Sequence, residues 1–171
     1  MFGKNKPDKE HSVNHTSTEK ATFAAGCFWG VEASFRKIPG VIDAVVGYTG
    51  GEVENPTYHL VCTNKTGHAE AVQITFNPEQ VSYETLVRAF FDLHDPTTPN
   101  RQGPDVGSQY RSVIFYHNEL QQQVAQATKQ ELDQSEKYRY PIVTGIVPAE
   151  TFYEAEEYHQ RYYEKHSFRR A

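Results

Sequence analysis

The chain has 171 residues, which is enough for one domain with its own hydrophobic core. Its formal net charge of -5 argues against nucleic acid as the main partner. No apolar run approaches the roughly 20 residues that cross a bilayer, so we expect no membrane partner.

The two ends and the cysteines suggest the domain boundaries and the compartment. The first residues are polar and lack the apolar segment of a signal peptide. We therefore predict a disordered tail over 1–20, a single domain over 21–166 and a short tail over 167–171. The two cysteines, Cys27 and Cys62, are too few for a disulfide framework, which favours a reducing compartment, the cytoplasm. The placed helices leave no apolar surface stripe, so we expect a monomer.

Strands and helices are predicted in alternation, without an internal repeat or linker. A short strand at 22–26 leads into a helix that begins at Cys27 and ends before Pro39 and Gly40. Further along the chain, periodicity and turn residues predict a strand at 41–48, an extended piece at 58–62, a strand at 68–76, a helix at 81–93, a Pro- and Gly-rich loop at 95–108, a strand at 109–117, a helix at 118–135, a strand at 142–147 and a last helix at 149–165. β-α-β units mixed with antiparallel strands predict one α/β domain of two layers.

Cys27 stands in the stretch GCFWG, at the start of a predicted helix. Unpaired N–H groups and the positive end of the helix dipole favour a thiolate there and predict a lowered pKa. The flanking Gly26 and Gly30 allow a close approach of the backbone or dihedral angles that other residues avoid. Spacing alone leaves two interpretations equally open: a reactive nucleophile, or a buried cysteine packed among aromatic rings.

Helical spacing separates the two aromatic residues that follow Cys27. Phe28 lies in line with the apolar stripe that faces the core, whereas Trp29 falls on the opposite side with Glu32 and Arg36. A tryptophan at the exposed mouth of a helix, beside a cysteine, indicates the wall of a pocket rather than part of the core.

Glu70 lies in HAEAVQITF, on the same face of the strand as three apolar side chains. A carboxylate on an apolar face is costly, and loss of water raises its pKa, which suits a general acid. His68 shares this face and is a candidate partner. The alternative is that Glu70 lies at the mouth of the strand, solvated or paired with Arg111.

Two loops contribute polar candidates: Tyr58 in NPTY, and Asp105 and Tyr110 in QGPDVGSQYR. A tyrosine hydroxyl can donate to a polar oxygen while its ring closes a pocket. Most of the 11 tyrosines are expected to be ordinary half-buried residues, so composition alone does not single these out.

Seven segments between about residues 21 and 163 carry a family resemblance. In chain order they are GCFWG, GYTGG, NPTYHLVC, TGHAEAV, HDPTTPNRQGPDVGSQYRS, PIVTGIVP and AEEYHQRYY. Together they resemble the A-type peptide methionine sulfoxide reductases. The resemblance implies an α+β two-layer sandwich with a ferredoxin-like core, a mixed sheet, flanking helices and long loops. It also implies reduction of the S-epimer of methionine sulfoxide, free or in proteins, through a cysteine sulfenic acid, as repair of oxidative damage.

The resemblance implies roles for the polar residues, position by position. Cys27 is the expected nucleophile and Glu70 the expected acid. Tyr58 and Tyr110 are expected to contact the sulfoxide oxygen, and Asp105 to support the polar side of the pocket. All five positions match the family's motifs here.

Phe28 and Trp29 are expected, from the same resemblance, to hold the methyl group of the substrate. No metal or organic cofactor is implied, only an external thiol such as thioredoxin or glutathione with glutaredoxin. Many relatives carry recycling cysteines in a C-terminal tail, but the tail here has none. Cys62 follows Leu60 and Val61, which favours burial, so we predict a cycle that uses Cys27 alone.

Three alternatives from other classes stay open. A zinc deaminase is suggested by the His-x-Glu pattern at His68 and Glu70, although the PCxxC pair of ligands is missing. A cysteine hydrolase would pair Cys27 with a histidine such as His94 or His159. A non-catalytic module would bind methionine-like side chains in an aromatic slot and leave the thiol unused.

Overall fold

The computed structural model describes residues 17–166; of the predicted tails, positions 1–16 and 167–171 lie outside the described residues. The strands and helices follow the predicted alternation. In chain order they are β1 (Glu19–Ala25), α1 (Phe28–Arg36), β2 (Val41–Thr49), α2 (Tyr58–Val61), β3 (Ala69–Phe76), α3 (Tyr83–Asp92), β4 (Arg101–Gln102), β5 (Asp105–Val106), β6 (Ser112–Tyr116), α4 (Glu119–Gln134), β7 (Gly145–Pro148), β8 (Tyr153–Glu154) and α5 (Tyr162–His166).

A mixed sheet in the order β7-β6-β1-β3-β2-β8 forms one layer. Its four central strands are antiparallel neighbours, and the path β1-α1-β2-β3-α3-β6 gives the β-α-β-β-α-β topology of a ferredoxin-like core. β7 extends the sheet parallel to β6, and β8 pairs with the outer edge of β2. The prediction of an α+β two-layer fold with a ferredoxin-like core is therefore confirmed.

Aromatic packing joins the helices to the sheet. Phe23 of β1 stacks on Phe35 of α1, with ring centroids 5.1 Å apart, and on Phe90 of α3 at 5.2 Å. All three side chains are fully buried. Burial of a phenylalanine side chain stabilises a fold by about 1.5–3 kcal/mol, so this cluster fixes both helices over the centre of the sheet.

The register of the sheet brings the two predicted reacting residues to one end. β1 and β3 are antiparallel with Phe23 opposite Val72, so the end of β1 that leads to Cys27 lies beside the start of β3 that carries Glu70. β2 lies on the other side of β3, with Tyr48 opposite Glu70.

Several predicted elements differ from the structure. The piece at 58–62 is helical rather than extended, because Thr57 caps α2 by accepting the N–H of Leu60 at 3.2 Å. The strand predicted at 109–117 is shorter, because Ser108–Tyr110 forms a 3₁₀ turn before β6.

The predicted last helix at 149–165 is also wrong. The segment forms β8, a 3₁₀ turn at Glu157–His159 and the short α5. The side chain of Gln160 bonds the backbone of β2: Val46 N–H donates to Oε1 at 3.0 Å, and Nε2 donates to the Val46 carbonyl at 2.9 Å. Arg161 has a φ of 53°, so the helical conformation is interrupted there.

Within residues 17–166, no helix has both the length and the apolar character needed to cross a membrane.

Candidate active site

Cys27 is the half-buried residue that connects β1 to α1. Gly26 has a φ of 97°, and a Cβ there would lie 2.8 Å from Cγ of Gln102, so glycine is required both by conformation and by space. Gly30 is helical, and a Cβ there would lie 3.9 Å from the Tyr163 ring, an ordinary contact. The structure therefore requires glycine at position 26 but not at position 30.

The pKa of Cys27 is raised, so the prediction of a lowered value is wrong. Burial is the largest cause, and the negative charges of Glu70 and Asp105 add to it. The backbone N–H groups of Trp29 and Gly30 lower the pKa, as the position at a helix start predicts, but they do not outweigh the burial. Protonation of Glu70 removes one of the charges that disfavour the thiolate.

Glu70 is 1% exposed, as its place on the apolar face of the strand predicts. Burial raises its pKa to about 7; the N–H of Phe28 lowers the value and the charge of Asp105 raises it. That N–H donates to Glu70 Oε1 at 3.2 Å, which ties the carboxyl to the first residue of α1. Close to neutral pH, a large fraction of Glu70 is therefore protonated and able to donate.

Neither suggested partner of Glu70 hydrogen-bonds to it within the described part of the chain. His68 accepts the N–H of Gly51 on Nδ1 at 3.0 Å, and its Nε2 lies 2.7 Å from the carbonyl of Val53, so it holds the loop after β2. Arg111 donates to two backbone carbonyls, at 2.9 Å each.

Tyr58, Tyr110 and Asp105 all interact electrostatically with Glu70. Burial, with the charges of Glu70 and Asp105, raises the pKa of Tyr110 to about 12. Burial, the neighbouring Cys62 thiol and Glu70 raise the pKa of Tyr58 above its ordinary value. Both hydroxyls therefore stay protonated as hydrogen-bond donors throughout the neutral range. Asp105 and Tyr110 also interact electrostatically with Cys27.

Cys62 is exposed, so the prediction of a buried filler is wrong. Val61 takes the buried position of the short helix, and Cys62 follows as its C-terminal cap. Its thiol is close enough to raise the pKa of both Tyr58 and Tyr110, which puts it at the border of the site.

The side of α1 that carries Trp29 is covered rather than open. Glu32, which helical spacing places opposite the core-facing stripe, is 1% exposed. It pairs with Arg36 at 2.6 Å and accepts the backbone N–H of Arg161 at 3.0 Å, because the C-terminal segment lies across this face. Trp29 itself is half-buried and stacks on Tyr162, with centroids 3.7 Å apart. Trp29 thus lies at the contact between α1 and the C-terminal segment.

Two residues near the site make contacts that the sequence did not predict. Glu156 accepts the hydroxyl of Tyr48 and the backbone N–H of Tyr58, both at 2.9 Å, and so attaches the C-terminal segment to β2 and α2. His159 accepts the indole N–H of Trp29 on Nδ1 at 3.0 Å. The quoted motif AEEYHQRYY contains both, but nothing in it indicates which neighbours its side chains meet.

Within residues 17–166, neither histidine considered for a hydrolase hydrogen-bonds to Cys27. His94 contacts the carbonyl of Phe90 and the hydroxyl of Ser112 at 2.7 and 2.8 Å, and burial lowers its pKa to about 4. His159 uses one ring nitrogen for the indole, and the other has no hydrogen-bond partner among the residues that the structure describes. Among residues 17–166, no group of three His, Cys, Asp or Glu side chains is arranged to hold a metal ion.

A thiol at a helix start, a buried carboxyl with a pKa raised to about 7 and two phenols that interact with it make a candidate site for cysteine chemistry. Comparison with known proteins gives the family. The model of the peptide methionine sulfoxide reductase family matches residues 19–171. The peptide methionine sulfoxide reductase MsrA of Methanoculleus marisnigri is 63% identical over 149 residues, which are 87% of this chain and 91% of that protein.

Comparison with solved structures gives the same family. Mxr1 from Saccharomyces cerevisiae in its reduced form superposes with a TM-score of 0.82 at 39% identity, over 88% of this chain and 86% of that one. Mxr1 in complex with Trx2 gives a TM-score of 0.62 at 30% identity, over 87% of each chain. The chain belongs to the peptide methionine sulfoxide reductase family, and it is an oxidoreductase.

Proposed function

We propose that the protein reduces the S-epimer of methionine sulfoxide, free or in oxidised proteins, and that Cys27 and Glu70 carry the reaction. The observation that supports this most strongly is the buried Glu70, its pKa raised to about 7, bonded to the N–H of Phe28 beside the thiol. A hydrolase needs a base beside its cysteine, whereas a sulfoxide needs an acid.

The sulfur of a sulfoxide is a poor electrophile until its oxygen is protonated or hydrogen-bonded. In the proposed reaction the Cys27 thiolate attacks this sulfur while Glu70 gives its proton to the oxygen. Tyr58 and Tyr110 donate to the same oxygen as negative charge grows on it, and Asp105 supports this polar side. The oxygen passes to Cys27 as a sulfenic acid and methionine leaves, so that cysteine sulfur loses the two electrons that methionine sulfur gains.

Phe28 and Trp29 form the apolar side of the proposed pocket. Phe28 is buried and packs against Tyr48, with ring centroids 5.8 Å apart, and Trp29 is half-buried. Aromatic surfaces select a small S-methyl group by shape and dispersion, whereas the oxygen must face the polar donors. This division of the pocket is the physical basis for choosing one epimer.

External thiols complete the proposed cycle. Two thiols reduce the sulfenic acid to a thiol and release water, and they leave as a disulfide, without a metal or an organic cofactor. The solved complex of Mxr1 with Trx2 supports thioredoxin as this reductant; glutathione with glutaredoxin is the alternative. We propose that the enzyme acts as a monomer in the cytoplasm, where free cysteines such as Cys27 and Cys62 persist.

A single-turnover experiment tests the proposal. Reduced protein is mixed with the separate S and R epimers of a methionine sulfoxide peptide, without reductant, and both products are analysed by mass. We expect about one methionine per enzyme from the S epimer only, with an added oxygen, or a resulting disulfide, at Cys27. Equal use of both epimers, or substrate binding without methionine, would overturn the proposal; the latter is the result of a non-catalytic binder.

A further inference from the structure

His159 is buried and takes no part in the proposed proton transfer. It lies in the 3₁₀ turn of the C-terminal segment and is 1% exposed. Four rings surround it, with centroid distances of 4.2 Å to Tyr158, 4.5 Å to Tyr58, 5.2 Å to Phe28 and 5.7 Å to Trp29. Three of these residues belong to the proposed pocket, so the histidine lies directly behind it.

The hydrogen bond to Trp29 fixes the tautomer of His159. An indole N–H can only donate, so Nδ1, which lies 3.0 Å from it, must be unprotonated and accept. The ring proton therefore resides on Nε2. Burial lowers the pKa of His159, although Glu156 opposes this, and the neutral form is the one that can accept from the indole.

The unpaired Nε2 argues against a purely structural role. This atom is buried and has no hydrogen-bond partner in the described residues. A buried polar group without a partner destabilises the folded state, so an apolar ring at this position would make the protein more stable. What histidine supplies, and an apolar ring cannot, is the acceptor for Trp29.

Trp29 needs a directional contact because stacking alone does not fix its ring. Its indole lies parallel to Tyr162, with 6° between the planes, and a stacked ring can slide or rotate in that plane. The bond to His159 adds a point of attachment at the indole nitrogen. Stacking and the hydrogen bond together fix the position of the indole ring.

We propose that His159 is a positioning residue for substrate binding: its Nδ1 accepts the indole N–H of Trp29 and thereby sets the width of the slot that takes the S-methyl group. This inference rests on the proposed function, since it assigns Trp29 to that slot. It assigns His159 no contact with the reacting atoms. Its effect is expected on the binding of substrate rather than on oxygen transfer.

Two substitutions of His159 separate the acceptor from the ring. His159→Phe keeps a planar ring and removes the acceptor; His159→Asn keeps an amide oxygen near the position of Nδ1. In single turnovers with the S-sulfoxide peptide, we expect His159→Phe to raise the half-saturating substrate concentration about three- to tenfold, the worth of one hydrogen bond, with the saturated rate within about twofold of wild type. His159→Asn should recover most of the loss. His94→Asn, at a buried histidine outside the site, is the matched control.

A spectroscopic readout does not depend on activity. Trp29 is the only tryptophan of the chain, so a ¹H–¹⁵N spectrum holds a single indole N–H resonance. We expect that resonance to be shifted and slow to exchange in the wild type and in His159→Asn, and to lose both properties in His159→Phe. In the wild type both should be lost on acidification below the ordinary histidine pKa, as Nδ1 gains a proton. The titratable groups that face the ring are Glu156, Tyr158 and Tyr58.

A double-mutant cycle with Trp29→Phe closes the test. If His159 acts through the indole, His159→Phe should have no further effect on half-saturation in that background. An effect of equal size in both backgrounds, or an unchanged indole resonance in His159→Phe, would overturn the proposal. If His159→Phe does not fold, the acid titration of the wild-type indole resonance tests the proposal instead. A free, fast-exchanging indole N–H at neutral pH would contradict the proposal. A wild type that fails to reduce sulfoxide while keeping the bonded indole refutes the proposed function but not this contact.

Discussion

Replacing Glu70 by Gln removes the proposed acid and keeps a side chain of nearly the same shape. With a pKa of about 7, Glu70 is protonated to about 90% at pH 6, about half at pH 7 and about 10% at pH 8. The contribution of the acid should therefore fall about tenfold from pH 6 to pH 8 in the wild type. Loss of a positioned acid costs about 100-fold or more, so Glu70→Gln should be slowest relative to wild type at pH 6.

The assay is the single-turnover rate at saturating S-sulfoxide peptide, measured for both proteins between pH 5.5 and 8.5. The ratio of wild type to Glu70→Gln should decline about tenfold from pH 6 to pH 8. Ionised Glu70 also raises the pKa of Cys27, so the thiolate fraction must be followed separately by the rate of alkylation. Cys62 is exposed and would react as well, so both proteins should carry Cys62→Ser.

Glu131→Gln serves as the matched control, because it removes one exposed carboxylate that pairs with Arg88 away from the site. It should leave the pH profile unchanged. A ratio that stays constant across the range would refute the reasoning, because it would mean that the proton comes from a group other than Glu70. A Glu70→Gln rate equal to wild type at pH 6 would do the same.

Three further expectations follow from the site. The pKa of Glu70 is raised in the folded protein from about 4.5 to about 7, so the free energy of unfolding of the wild type should fall by up to about 3 kcal/mol relative to Glu70→Gln as the pH rises through this interval. Urea unfolding at pH 5 and pH 8 measures this difference. A difference that does not grow with pH contradicts the burial argument. Tyr58→Phe and Tyr110→Phe should each slow the first turnover about tenfold, and the double variant about 100-fold or more, measured by rapid quench. Unchanged rates would exclude both hydroxyls as donors. Cys62→Ser should leave both the first turnover and steady-state turnover with thioredoxin within about twofold, and selective loss of the latter would make Cys62 the resolving cysteine.

Residues whose environment is set by local pattern could be predicted well. Glu70 is an example: strand alternation puts it on the apolar face, and the structure buries it with a raised pKa. The ferredoxin-like core, expected from the family resemblance, is confirmed. So is the place of Cys27 at the start of α1. The periods of strands and helices carry this information because each depends only on neighbours in sequence.

Residues whose environment depends on a distant segment could not be predicted. Glu32 is buried because a segment about 130 positions later lies across α1. Helical spacing cannot predict this contact, because it depends only on residues nearby in sequence. The pKa of Cys27 is raised rather than lowered because burial and two carboxylates outweigh the helix start, a balance that needs the tertiary structure. The prediction of a final helix is wrong for the same reason: the side chain of Gln160 hydrogen-bonds to the backbone of β2, which is distant in sequence.

The contact of Gln160 with Val46 also bears on how the protein avoids self-association. An outermost strand with free N–H and carbonyl groups is a template on which a second chain can form intermolecular β-structure. Here the amide of Gln160 occupies both backbone groups of Val46, and β8 pairs with Gly47 and Tyr48. The Gln160 side chain, together with the N–H of Ala155, thus continues the pairing of β8 along β2 and leaves the backbone groups of Val46 unavailable to a second chain.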